Sequence, residues 1–264
     1  MEQVEVRDLS VCCELNGDGY PLVLIMGLNA NIDWWEPQMV EDLSQAFRVL
    51  TFDNRGAGRT ITPDEGEFTM EHFADDTVAL MDALAVEKAN IFGASMGGMI
   101  AQELALKYPE KVNKLVLGCT NCGGQQGVLA SQEVLLKLMD RSGGDEAIFQ
   151  RAIEIMTPKD YIEANPDYVK VHTERYMKAP CTDGNFQRQF TAIIGHNTYD
   201  RLPEIKASTL VMTGTDDVLI PPENSKILAE RIPGAKLIEY EGNGHGFWSQ
   251  SCEAATRDIL EFLR

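Results

Sequence analysis

The sequence predicts an α/β fold: a mostly parallel, doubly wound sheet with helices on both faces. Three observations predict it. Strand-length runs rich in Val, Ile and Leu recur along the chain, amphipathic stretches of helical period separate them, and the alternation breaks once, over a long segment of helical patterns only. Continuous apolar runs suit strands buried on both faces of a parallel sheet. Strands that alternate with helices imply right-handed crossovers and helices on both sides.

Residues 4–15 come first and read as an antiparallel strand or hairpin at one edge. The strand runs follow at 21–27, 48–52, 89–93, 114–118, 209–213 and 235–240. Helical patterns lie between most of them, at 34–47, 70–84, 96–108 and 222–231. Phe73, Leu80, Met81 and Leu84 put an apolar stripe on the second of these. Residues 254–263 read as a closing helix, with Ser251 placed to cap it. The break runs over residues 123–206, with helical stretches at 128–140, 146–156, 166–177 and 186–196 split by Gly143-Gly144, Pro158, Pro180 and Gly184. We read it as a helical lid inserted ahead of the strand at 209–213. Residues 1–122 and 207–264 then form one core domain, a size that 264 residues suit.

Composition narrows the function classes. Hydrophobic residues make up 44 %, enough for a sizeable core. Lys and Arg number 23 against 41 Asp and Glu, a net charge of −18. A nucleic-acid binder would carry a basic face, so that class is set aside. The acidity fits solubility, and argues against anionic lipid surfaces and highly anionic substrates. No run approaches the roughly 20 apolar residues of a membrane span. The N-terminus has neither a basic flank nor an apolar core segment, so a cytoplasmic location is expected. The six cysteines read as reduced thiols. Cys119-x-x-Cys122 lacks the second pair and the neighbouring histidine of a zinc site, so no metal is expected.

The strongest local signal is Gly93-Ala94-Ser95-Met96-Gly97-Gly98, set between a strand and a helix. A serine on so sharp a turn is strained, and flanking glycines leave room for it. Its hydroxyl then stands clear of the sheet as a nucleophile, and the N–H of Met96 at the helix start is a donor for developing negative charge. A second donor is expected from the loop after the first parallel strand, at Leu28. A serine nucleophile needs a base. His72 opens a crossover helix, and His172 and His196 fall in the insert. His245 alone follows a sheet strand, between Gly244 and Gly246. The base needs an orienting carboxylate; Asp216 and Asp217, just past the strand at 209–213, both suit, the other forming or capping the turn. Ser, Asp and His all fall just after strands, the edge at which open parallel sheets bind ligands. Trp34, Trp35, Met99, Phe247 and Trp248 suit either an apolar acyl pocket or plain core packing.

These residues resemble the α/β-hydrolase family. The resemblance rests on the serine turn, on Phe52-Asp53-Asn54-Arg55-Gly56-Ala57-Gly58-Arg59, on Gly214, Asp217 and Pro221 at their spacing, and on Gly244-His245. It covers nearly the whole chain outside the insert. It is closest to the small carboxylesterase, enol-lactonase and methylesterase branch. It implies Ser95, Asp217 and His245 as a triad, Leu28 and Met96 as oxyanion hole, and no cofactor. Met26-Gly27 departs from the His-Gly of many members. Asp53 and Arg55 are expected to form a structural turn and ion pair. The expected substrate is a small, partly apolar ester or lactone, neutral or weakly charged. The same triad also serves C–C hydrolysis and acyl transfer, and a non-catalytic ligand-binding protein on this fold is the alternative of a different class.

Overall fold

The computed structural model describes residues 1–264. Its strands are β1 (Glu2–Val6), β2 (Leu9–Asn16), β3 (Tyr20–Ile25), β4 (Phe47–Phe52), β5 (Ala89–Ala94), β6 (Val112–Gly118), β7 (Ser208–Gly214) and β8 (Lys236–Tyr240). They form one sheet in the order β1-β2-β4-β3-β5-β6-β7-β8. The pairs β1–β2 and β2–β4 are antiparallel; every other neighbouring pair is parallel. The predicted fold class is therefore the observed one, and the segment 4–15 is the edge hairpin.

Side-chain alternation divides each central strand between two apolar layers. In β3, Val23 and Ile25 join one layer and Leu22 and Leu24 the other. The helices are α1 (Pro37–Ser44), α2 (Met70–Ala83), α3 (Met96–Lys107), α4 (Gln132–Met139), α5 (Gly144–Met156), α6 (Lys159–Ala164), α7 (Tyr168–Tyr176), α8 (Asp183–Gly195), α9 (Glu223–Arg231), α10 (Phe247–Gln250) and α11 (Cys252–Leu263). Phe73 and Met81 of α2, Ile100 and Leu104 of α3 and Leu228 of α9 cover one face. Met39 and Leu43 of α1, Phe247 of α10 and Ile259 of α11 cover the other. No helix is long and apolar enough to cross a membrane.

Three sequence expectations shift. The helix read over 34–47 is a 3-10 turn at Ile32–Trp34 followed by α1, because Pro37 occupies the first helical position, where its missing N–H is not needed. Ser251 stands at the start of α11 but makes no capping bond; its hydroxyl accepts from Asn243 Nδ2 instead. The insert between β6 and β7 holds α4 to α8, including α6, which is too short to show a helical period in sequence. The insert is bonded to the sheet's loops. Asn29 N–H donates to Gln189 Oε1 at 2.9 Å, Gln189 Nε2 to the Arg55 carbonyl at 2.9 Å, and Gly246 N–H to the Met156 carbonyl at 3.1 Å.

The first turn of α3 lies hard against the end of β3. A Cβ on Gly97 would fall 2.0 Å from the Ile25 carbonyl oxygen and 2.9 Å from that of Met26. Both obstacles are backbone and cannot rotate away. Gly97→Ala is expected to destabilise the protein by about 1–3 kcal/mol or more, as overpacking does. Urea unfolding measures it, and an unchanged midpoint would refute the close approach.

Candidate active site

The candidate residues gather where the parallel strands end. Ser95 follows β5 with φ 57° and ψ −122°, a conformation that L-residues avoid. Such strain is worth about 1–3 kcal/mol and persists only where the surroundings over-determine it. Here the Ser95 N–H donates to the Gly118 carbonyl at 2.9 Å, and α3 begins at the next residue. Gly27, past the end of β3, leaves space for the side chain: a Cβ there would lie 2.9 Å from Ser95 Cβ.

The two aspartates after β7 have different fates. Asp216 is exposed and accepts from the Thr215 hydroxyl. Asp217 is buried. Its Oδ1 accepts the N–H groups of Leu219 at 2.9 Å and Ile220 at 2.8 Å. Its Oδ2 accepts from His245 Nδ1 at 2.8 Å. A carboxylate on Nδ1 fixes that nitrogen as the donor and leaves Nε2 as the acceptor of a neutral ring. Burial pushes the His245 pKa down, but the adjacent Asp217 charge outweighs it and holds the ring well above its ordinary value.

Nε2 faces the thiol of Cys119, with Sγ at 3.9 Å, and no hydrogen bond joins it to Ser95. Ser95 and His245 instead line the same cavity, of about 520 Å³. Leu28, Trp34, Met99 and Trp248 also line it, whereas Trp35 and Phe247 are packed into the core beneath. The N–H groups of Leu28 and Met96 make no hydrogen bond within the protein. A second cleft, of about 780 Å³, opens beside Asp18 and Lys178 and contains neither Ser95 nor His245.

Other polar candidates have structural partners. Asp53 is fully buried and accepts the N–H groups of Ile32 and Arg59, each at 2.7 Å. Arg55 pairs not with Asp53 but with Asp76 at 2.7 Å and Asp8 at 2.6 Å. His72 is exposed, and His172 bonds Glu36 at 2.9 Å. His196 is buried and held neutral by burial, its pKa lowered to about 4. Sequence reasoning missed the place of Cys119. Its only signal is position: it follows β6, which lies between the Ser95 and Asp217 strands. Cys119, Asp217 and His245 are the one group of potential metal ligands with atoms within 4.8 Å of one another. The group fits a metal poorly, because both ring nitrogens already face Asp217 and Cys119. Burial also raises the thiol pKa, which disfavours the thiolate a metal needs.

Residues 20–248 match the model of the α/β-hydrolase fold family. The chain belongs to this family. Membership makes it a hydrolase of this fold. A relative from Caulobacter vibrioides, RutD, named as a candidate carbamate hydrolase, is 28 % identical over 92 % of this chain and 89 % of its own. The enol-lactonase from Burkholderia xenovorans superposes with a TM-score of 0.87 at 27 % identity, covering 99 % of both chains. A thermophilic esterase from Thermogutta terrifontis superposes with a TM-score of 0.85 at 25 % identity, covering 100 % of this chain and 98 % of that one.

The contrast between the paired aspartates is directly measurable. Asp217→Asn is expected to lower kcat by about 10⁴, because the amide favours the wrong imidazole tautomer. Asp216→Asn is expected to change it by under about tenfold, as a surface substitution away from the site. Turnover of 4-nitrophenyl butyrate by both variants checks this, and a large loss confined to Asp216 would reverse the assignment.

Proposed function

We propose that the chain is a cofactor-independent serine hydrolase that cleaves a small carboxylic ester. The observation that carries this is the 2.8 Å hydrogen bond that His245 Nδ1 donates to buried Asp217, with His245 and a strained serine lining the same largely apolar cavity. In this reading His245 Nε2 takes the Ser95 proton as Oγ attacks the carbonyl carbon. Asp217 stabilises the imidazolium that results. The free N–H groups of Leu28 and Met96 receive the oxyanion. The alkoxide then departs with the proton from His245, and water repeats the sequence to release the acid. Nε2 must turn from Cys119 to Ser95 for the first step, which fits hydrogen bonds that tighten only when substrate is bound.

A lactone follows the same steps with the alcohol still tethered. It is the second reading, favoured by the likeness to an enol-lactonase over the full length of both chains. Residues 123–206 act as a lid in this proposal, over a core of residues 1–122 and 207–264. The support is that α4, α5 and α8 contribute walls to the cavity that holds Ser95.

The base must be neutral to accept a proton. Because Asp217 holds the His245 pKa above its ordinary value, the rate falls as pH drops through that raised value. The acid limb of kcat/KM is therefore expected above about pH 6.5, the unperturbed imidazole value. A pH–rate profile reads it, and a rate that stays flat down to about pH 4 would exclude His245. Ser95→Ala tests the whole reading. It is expected to lose about five to six orders of magnitude in kcat. Its fold should survive, and a fluorophosphonate should label the wild type at Ser95 alone. Retained turnover in the alanine variant would overturn the proposal.

A further inference from the structure

The loop that carries His245 is braced from within. Across residues 243–251, Asn243 Nδ2 donates to Ser251 Oγ, and the Gly244 N–H donates to Gln250 Oε1 at 2.8 Å. Between these braces the Trp248 ring stands edge-on to the His245 ring, with centroids 6.2 Å apart. Internal bonds fix the shape of such a loop but not its place in the molecule. Two carboxylates reach it from outside. Asp217 meets His245 Nδ1, and Glu36 meets Ser249, whose hydroxyl donates to Glu36 Oε1 at 2.6 Å.

Glu36 lies in the segment between β3 and α1, which also carries Leu28. It immediately precedes α1 yet makes no capping bond with it. Its side chain is only 13 % exposed and turns instead to α10 and to the insert. The same Oε1 accepts from Arg175 Nη1 at 2.9 Å, and His172 Nε2 lies 2.9 Å away, both on α7. Tyr168, also of α7, covers the His172 ring with 4.0 Å between centroids. Burial by itself raises the Glu36 pKa; the bonds from His172 and Ser249 and the Arg175 charge reverse this and bring it down to about 2. One ionised oxygen thus joins the segment after β3, the insert and the loop of His245. Glu36 does not line the cavity that holds Ser95, so any effect on the reaction passes through other residues.

We propose that Glu36 is a positioning residue for the base: through Ser249 it sets where α10, and with it His245, stands relative to Ser95. The inference rests on the serine-hydrolase reading and adds to it a residue that acts at one remove. Because the loop is cross-braced, a shift at Ser249 is passed through Trp248 to the imidazole rather than absorbed between them. A misplacement of about 1 Å at reacting groups costs about a hundredfold in rate.

The test removes the link and leaves the ion pair. Ser249→Ala deletes the hydroxyl, while Glu36 keeps Arg175 and His172. With 4-nitrophenyl butyrate, kcat is expected to fall by on the order of ten- to a hundredfold with KM little changed. Ser249→Thr keeps a hydroxyl and should restore most of the rate. Glu36→Ala should fall at least as far, and adding Ser249→Ala to it should cost nothing more, because the two side chains act as a unit. The acid limb of kcat/KM should move to lower pH in Ser249→Ala, because a slipped His245 loses part of the Asp217 contact that raises its pKa. A merely structural bond would lower the melting temperature and leave that limb in place. Lys178→Met is the control: it removes another ion pair between insert and core, Lys178 to Asp33 at 2.9 Å, and should leave kcat unchanged. Melting temperatures identify a variant that misfolds, and Glu36→Gln, which keeps an acceptor oxygen without the charge, then carries the test with a smaller expected loss. The rate of fluorophosphonate labelling at Ser95 should follow the same order. An unchanged kcat and acid limb in Ser249→Ala overturn the proposal, as does an equal loss in Lys178→Met. Retained turnover in Ser95→Ala overturns the serine-hydrolase reading itself.

Discussion

The site depends on one steric constraint, the crowding of three backbone segments where β3 and β5 end and α3 begins. The turn at Ser95 is tight enough that Cβ atoms on Gly27 or Gly97 would meet the side chain or the backbone within 3 Å. At Gly97 the obstacle is the backbone at the end of β3, and at Gly27 it is the Ser95 side chain itself. In return the chain reverses within one residue, and Ser95 takes a backbone conformation that would not persist alone. The ladder from β5 to β6 continues through the Ser95 N–H, so the strained residue is anchored by the sheet itself. The same geometry leaves the N–H of Met96 without an internal partner at the start of a helix, where the macrodipole favours negative charge. Nucleophile and oxyanion donor, in the proposed mechanism, are two consequences of one tight turn.

Charge is organised on a second principle, that a buried ion needs partners. Asp53 lies against the N–H groups of two different loops and so ties the loop after β4 to the loop after β3. Arg55 reaches out to Asp8 of the edge hairpin and to Asp76 of α2, joining three parts of the chain through one guanidinium. These groups hold the loops on which the site is built, and removing one partner of a buried pair leaves a lone charge behind, the expensive outcome. Asp217 is satisfied twice over on Oδ1, which leaves Oδ2 for His245.

Much of this was legible in sequence, for physical reasons that differ by element. The middle and C-terminal residues of the strands from β3 to β7 are buried, so these strands are mostly apolar and stand out as runs. The edge hairpin showed more weakly because β1 is exposed over most of its length. Ser95 and His245 were legible because glycines flank them, and glycine marks backbone crowding. The choice between Asp216 and Asp217 was not decided by local pattern, since both follow the same strand; the structure separates them by burial. Cys119 was illegible. Cys119 meets His245 only because β6 lies between β5 and β7, a pairing that no local spacing encodes.

In the proposed mechanism, where His245 is the base, its contact with Cys119 bears on how the ring is held. Oriented by Asp217 alone, the ring would be fixed at one nitrogen and free to tilt about that bond. A partner on Nε2 restrains the tilt, yet a strong partner there would compete with Ser95 for the same lone pair. A thiol is a weak donor, and at 3.9 Å it restrains the ring with little to lose when the ring moves. Burial raises the Cys119 pKa, so the group stays a neutral thiol and adds no charge beside the imidazole. A carboxylate at this position would favour imidazolium and withdraw the base, and an aliphatic side chain would leave Nε2 without a polar neighbour. In that mechanism the thiol suits a ring that rests near Ser95 and exchanges one partner for another as the proton is transferred.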